Sequence, residues 1–148
     1  MKLRSAICQI VFLTSLLTSC FAHHMAVVVD KENLVGNVTS AHLSKIFRAE
    51  VKKWADGKSV LLVLHKNSMG ESETLKRLTG MSVGARAKLF AEHKDSILWV
   101  ESDAEVLKAV QAKPGSIGMI DVRSVDGSIN VVRVDTKLPT DAGYLPHQ

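Results

Sequence analysis

A chain of 148 residues, 46% hydrophobic and 23% charged, has the size and composition of one globular domain. Its formal charge of +4 is small and scattered, which argues against nucleic acid as a partner.

The first 22 residues differ from the rest. Met1-Lys2-Leu3-Arg4 is a short basic segment, and residues 6–17 are a mostly apolar run. That run is too short for a bilayer span, which takes roughly 20 apolar residues. Together they read as a secretory signal peptide over residues 1–22, leaving one domain over 23–148. Cys20-Phe21-Ala22 has small residues at both ends, as a cleavage site would, while Leu17-Thr18-Ser19-Cys20 resembles a lipobox that would make Cys20 a lipid anchor. An exported protein is expected, periplasmic or otherwise outside the cytoplasm. Removing the leader takes away Lys2, Arg4 and no acid, so the formal charge falls from +4 to +2. Cys8 and Cys20 both lie in the leader, so the remaining domain is held by its core and not by an internal disulfide.

Met25-Ala26-Val27-Val28-Val29 is a continuous apolar run suited to a strand buried on both faces. Thr39 or Ser40 then caps a helix that repeats Leu43, Ile46 and Phe47 at helical spacing. Asp56-Gly57 marks a turn before a second apolar strand over 59–64. A loop leads from there into a short helix with Leu75 and Leu78, stopped at Gly80. Ser82 opens the next helix, with Ala85, Leu89 and Phe90 expected to face inward. Ser102-Asp103-Ala104-Glu105 is a capping box opening a helix with Val106, Leu107 and Val110, which Pro114-Gly115 ends. Residues 117–120 and 129–134 read as the last strands, joined by a turn at Asp126-Gly127. The tail from Lys137 onward is expected to be loop-like. This alternation predicts an α/β domain with a mostly parallel sheet and helices on both faces.

The segment His65-Lys66-Asn67-Ser68-Met69-Gly70-Glu71-Ser72-Glu73-Thr74 is the chemically informative one. It is a strand-to-helix turn, where unpaired N–H groups and the helix dipole suit an anion. The N–H groups of Gly70 to Ser72, with Lys66, Ser68 and Ser72 assisting, make an oxyanion cradle one reading. The other, favoured, is structural: Ser68-x-x-Glu71 has the form of a capping box, and Glu71 and Glu73 already complement the dipole. Arg123, beside Asp121 at the end of a strand, is a secondary anion candidate or half of a solvated ion pair.

Other chemistry is thin. His23-His24 would begin the mature chain, but His42, His65, His93 and His147 lack ligand spacing, so no metal or other cofactor is expected. Ser68 lies near His65 without a glycine-flanked nucleophile turn or a third partner, so no enzyme is expected. Trp54 and Trp99 read as packing groups.

Three stretches resemble the periplasmic phosphate-binding-protein family, the type II substrate-binding fold that serves ABC transporters. They are Val27-Val28-Val29-Asp30-Lys31-Glu32-Asn33; the helix from Leu43 to Phe47 with its sequel to Trp54-Ala55-Asp56-Gly57, where Ala49 replaces the usual Gly; and Ser102 to Gly118 with Met119 in place of Tyr. The match runs over about residues 26–122 and is to the short, single-lobe members. The resemblance implies a substrate-binding-like domain with a single-lobe α/β fold, binding phosphate or another small oxyanion for uptake or sensing. It implies a permease or an envelope sensor protein as partner, and a second copy closing over the ligand as a homodimer. By register, His65 stands where the family has an Arg, and Met69-Gly70-Glu71 where it has Ser-Gly-Thr, so only Gly70 is kept. The oxyanion candidates are therefore His65, Lys66, Ser68, Gly70, Glu71, Ser72 and Arg123. The alternative is an interaction or sensory module of the cell envelope that has lost its ligand.

Overall fold

The computed structural model describes residues 24–146. The expected leader, His23 and His147 lie outside the described residues.

The chain builds β1 (Met25–Val29), β2 (Asn37–Val38), α1 (Ser40–Phe47), β3 (Leu61–His65), α2 (Met69–Thr79) and α3 (Val83–Glu92). It continues with β4 (Ile97–Val100), α4 (Asp103–Ala112), β5 (Ser116–Asp121), β6 (Asn130–Val131) and β7 (Arg133–Val134). Each helix starts at a hydroxyl that accepts from the backbone N–H three residues on: Thr39 from His42, Ser68 from Glu71, Ser82 from Ala85 and Ser102 from Glu105. These caps satisfy N–H groups that the helix itself cannot, which is why the starts were legible in sequence.

Five strands form the main sheet in the order β4-β3-β5-β1-β6. β3 pairs in parallel with β4 and β5, while β1 pairs antiparallel with β5 and β6. Four of the five therefore point one way and β1 alone is reversed. β2 and β7 form a separate parallel pair.

Alternate residues of β1 serve the two faces. Val27 and Val29 join Leu62, Leu64, Ile117 and Met119 under α1, α2 and α3, together with Leu43, Ile46, Phe47, Leu75 and Phe90. Val28, Val63 and Ile120 pack on the other face against Val106, Leu107 and Val110 of α4. Gly118 lets α4 approach, since a Cβ there would lie 2.8 Å from Val106 Cγ1 and 3.1 Å from the Val63 carbonyl oxygen.

The structure corrects four expectations. The edge strand β4 was not read in Ile97-Leu98-Trp99-Val100, because Trp99 is exposed and only four residues are strand. The run 129–134 is not one strand: β6 pairs with β1 and β7 with β2, breaking at Val132. In α3 it is Arg86 that is buried, while Ala85 is exposed. The tail lacks regular structure, as expected, but Tyr144 and Leu145 are buried in the core.

Candidate functional site

β3 ends at His65, and Ser68 caps α2 three residues later. The Glu71 N–H donates to Ser68 Oγ at 3.1 Å and the Ser72 N–H to the Ser68 carbonyl at 3.0 Å. Of the N–H groups assigned to an oxyanion cradle, two are thus already engaged. Met69 and Gly70 occupy the first two helical positions, whose N–H groups have no acceptor within the helix.

Glu71 does not close the expected capping box. Its Oε1 accepts from the His65 N–H at 3.0 Å rather than from Ser68, and the residue is 3% exposed. The carboxyl is turned inward beneath the helix, away from its open end. Burial is the main cause that pushes it up to about 8, against the hydrogen bond from His65. At neutral pH Glu71 is therefore mostly uncharged, and the acid that seemed to spoil an anion site does not face one.

The His65 ring is held between two elements. Its Nε2 donates to the Glu101 carbonyl at 2.8 Å, and its Nδ1 lies 3.3 Å from Asp103 Oδ1 without hydrogen-bond geometry. Asp103 Oδ2 in turn accepts from the Asp121 N–H and the Ser124 hydroxyl. Lys66 Nζ pairs with Glu101 at 2.8 Å on the exposed rim. Arg123 is the solvated ion pair of the two readings: Nε and Nη2 grip Asp121 at 2.8 and 2.7 Å.

Two cavities gather the candidates, and His65 and Ser68 line both. One, of about 340 Å³, lies at the amino end of α2 and is lined by Met25, His65, Asn67, Ser68, Met69, Gly70, Asp103 and Asp121. The other, of about 160 Å³, lies behind α2 and brings Lys66, Glu71 and Ser72 together with Arg86, Phe90 and Trp99. Arg123 reaches the first only through Asp121.

No protein-family model matches the sequence, and no curated protein matches it. Solved structures do. An ABC-type phosphate transport receptor from Vibrio cholerae superposes with a TM-score of 0.65 at 22% identity, over 78% of this chain and 48% of its own. PstS from Borrelia burgdorferi gives 0.64 at 21% identity, over 78% and 49%. A phosphate-binding protein from Stenotrophomonas maltophilia gives 0.63 at 17%, over 78% and 40%. The fold is that of the phosphate substrate-binding proteins. This chain spans about half the length of those it matches.

Within that fold, sequence reasoning missed Asp103 as a wall of the cleft and Arg86 as a buried cation. Asp103 was read only as part of a helix start. Arg86 carried a usable signal: it stands four residues before Phe90 on the apolar stripe of α3, where a charge has to be explained. Among the described residues, no group of three His, Cys, Asp or Glu side chains suited to a metal ion forms.

Proposed function

We propose that this protein is an exported, non-enzymatic substrate-binding domain that takes a small oxyanion, phosphate foremost, at the amino end of α2, for uptake or sensing. One observation carries the reading. Met69 and Gly70, whose N–H groups have no acceptor within the helix, line the 340 Å³ cavity, and the neighbouring Glu71 carboxyl is buried against the His65 N–H. The phosphate named for the similar structures supports the same ligand class. Affinity is expected to be weak, because the described residues that line the cavity include no arginine and do include Asp103 and Asp121. A second copy or a partner protein closing over the cleft would add contacts to the ligand.

A second reading has its own support. Asp103 and Asp121 oppose an anion, and their presence favours an envelope interaction or sensory module that keeps the fold without the ligand. Titration calorimetry with phosphate, sulfate and chloride separates the two. The first reading expects heat at millimolar phosphate that Gly70→Val abolishes and Ser68→Ala weakens. Silence at that concentration, or indifference to both substitutions, supports the module instead. The mass of the mature N-terminus tests export and the Cys20 anchor together.

A further inference from the structure

Behind α2 lies a second site that the oxyanion reading does not use. The cavity of about 160 Å³ is walled by Leu64, Leu75, Phe90 and Trp99, with Glu71 and Arg86 as its buried polar groups and His65, Lys66, Ser68 and Ser72 also on its lining. Phe90 and Trp99 meet edge to face with centroids 5.9 Å apart, giving the cavity a firm apolar end.

Two polar atoms in this wall lack protein partners. Arg86 is 5% exposed; its Nη2 donates to Ser72 Oγ at 3.0 Å, but Nη1 is buried with no hydrogen-bond acceptor. Glu71 Oε2 is likewise buried and unpartnered. Among the described residues, no carboxylate lies within ion-pair distance of Arg86, and Glu73 and Glu71 act on it only electrostatically. A buried guanidinium is ordinarily paired, because taking an unpaired charge out of water is costly.

Two of the free groups donate. Nη1 of Arg86 can only donate, and so can the Ser72 hydroxyl hydrogen once its oxygen accepts from Arg86. With Oε1 of Glu71 accepting from His65, a proton on that carboxyl sits at Oε2 and makes a further donor. The complement is a singly charged acceptor with two oxygens. The space of about 160 Å³ suits a small ligand.

We propose that this cavity binds a short-chain monocarboxylate, its carboxylate on Arg86 and Ser72 beside Glu71, its alkyl end against Phe90 and Trp99. This site is separate from the α2 amino end, and either can fail without the other. The proton on Glu71 ties binding to pH. Glu71 is faced by His65 of β3, Arg86 of α3 and, electrostatically, Asp103 of α4. Raising the pH through about 8 places a second negative charge beside the ligand and expels it.

Propionate is the probe, titrated by calorimetry into the full chain from pH 7 to 9, with chloride at equal ionic strength as control. Binding is expected at pH 7, at least tenfold weaker at pH 9, at least tenfold weaker in Arg86→Met, and unchanged in Gly70→Val. Glu71→Gln keeps a donor that cannot ionise, so it should bind propionate with the pH dependence removed. That variant answers the question even if Arg86→Met does not fold. Absence of propionate binding to the wild type at tens of millimolar would overturn the proposal, as would equal binding by Arg86→Met or an unaltered pH profile in Glu71→Gln.

Discussion

The His65 backbone N–H donates to Glu71 Oε1 at 3.0 Å, joining the last residue of β3 to the third residue of α2. The contact draws a carboxyl into the interior at a point where helix starts usually display it to solvent. Its consequence is a pH-dependent stability. Glu71 is raised from 4.5 to about 8, so between those values the native chain holds a proton that the unfolded chain has released. Stability therefore falls as pH rises through this window, with a slope approaching about 1.4 kcal/mol per pH unit at its steepest. The contribution is complete below the unfolded value and gone above the folded one. Urea unfolding of the wild type and Glu71→Gln from pH 5 to 9 checks it. The difference between the two curves should change in that direction, and parallel curves would mean that Glu71 is ionised throughout.

Tyr144 closes the fold from the far end of the chain. Its hydroxyl donates to the Val132 carbonyl at 2.6 Å and accepts from the Val27 N–H at 3.1 Å, so it bridges the break between β6 and β7 to β1. Burial pushes the phenol well above its ordinary range, and it stays neutral. Tyr144→Phe keeps the ring but leaves a buried N–H and a buried C=O each short of a partner. The expected loss is about 1–3 kcal/mol by urea unfolding. A loss near zero would show that the tail is not a structural pin.

What was legible in the sequence was what neighbours along the chain decide. Thr39, Ser68, Ser82 and Ser102 cap the helices they were read to cap, since a cap needs only an N–H three residues away. Met25 to Val29 was legible because burial on both faces leaves a continuous apolar run. What was hidden depends on distant partners. Glu71 has the form of a capping-box acid, and only the approach of His65 and Arg86 turns it inward. β4 is a strand because β3 hydrogen-bonds it, not because its side chains alternate. Only the packing of α3 under Ser72 makes the second cavity visible.

The turn between α4 and β5 depends on Gly115. Its φ is +84°, and a Cβ would lie 2.3 Å from the Ser59 carbonyl oxygen, a backbone atom with no freedom to yield. Two contacts meet at the same residue: its N–H donates to Asp30 Oδ2 at 3.1 Å and its carbonyl accepts from Trp54 Nε1 at 2.8 Å. Gly115→Ala should therefore cost more than the roughly 1 kcal/mol of an average substitution, and about 3 kcal/mol or more if the turn has to move. A thermal melt measures the loss. Near-neutral behaviour would require the β3 approach to relax without penalty.

Ala49 shows the opposite case, a residue that glycine should improve. α1 ends at Arg48 in a Schellman arrangement: the Ala49 N–H donates to the Ile46 carbonyl and the Glu50 N–H to the Lys45 carbonyl. That geometry puts Ala49 at φ 56°, in the left-handed region, where a Cβ costs about 1–2 kcal/mol. This is the position where the phosphate-binding proteins that the sequence resembles carry Gly, and the backbone supplies the physical reason. Ala49→Gly removes the strain but also gives the unfolded chain more freedom, which offsets roughly half of the gain. The net expectation is a stabilisation of about 0.5–1 kcal/mol by urea unfolding, with Ala49→Val, a β-branched residue in the same conformation, losing at least as much. If Gly destabilised the protein, the left-handed conformation at residue 49 would be wrong, and so would the Schellman ending of α1.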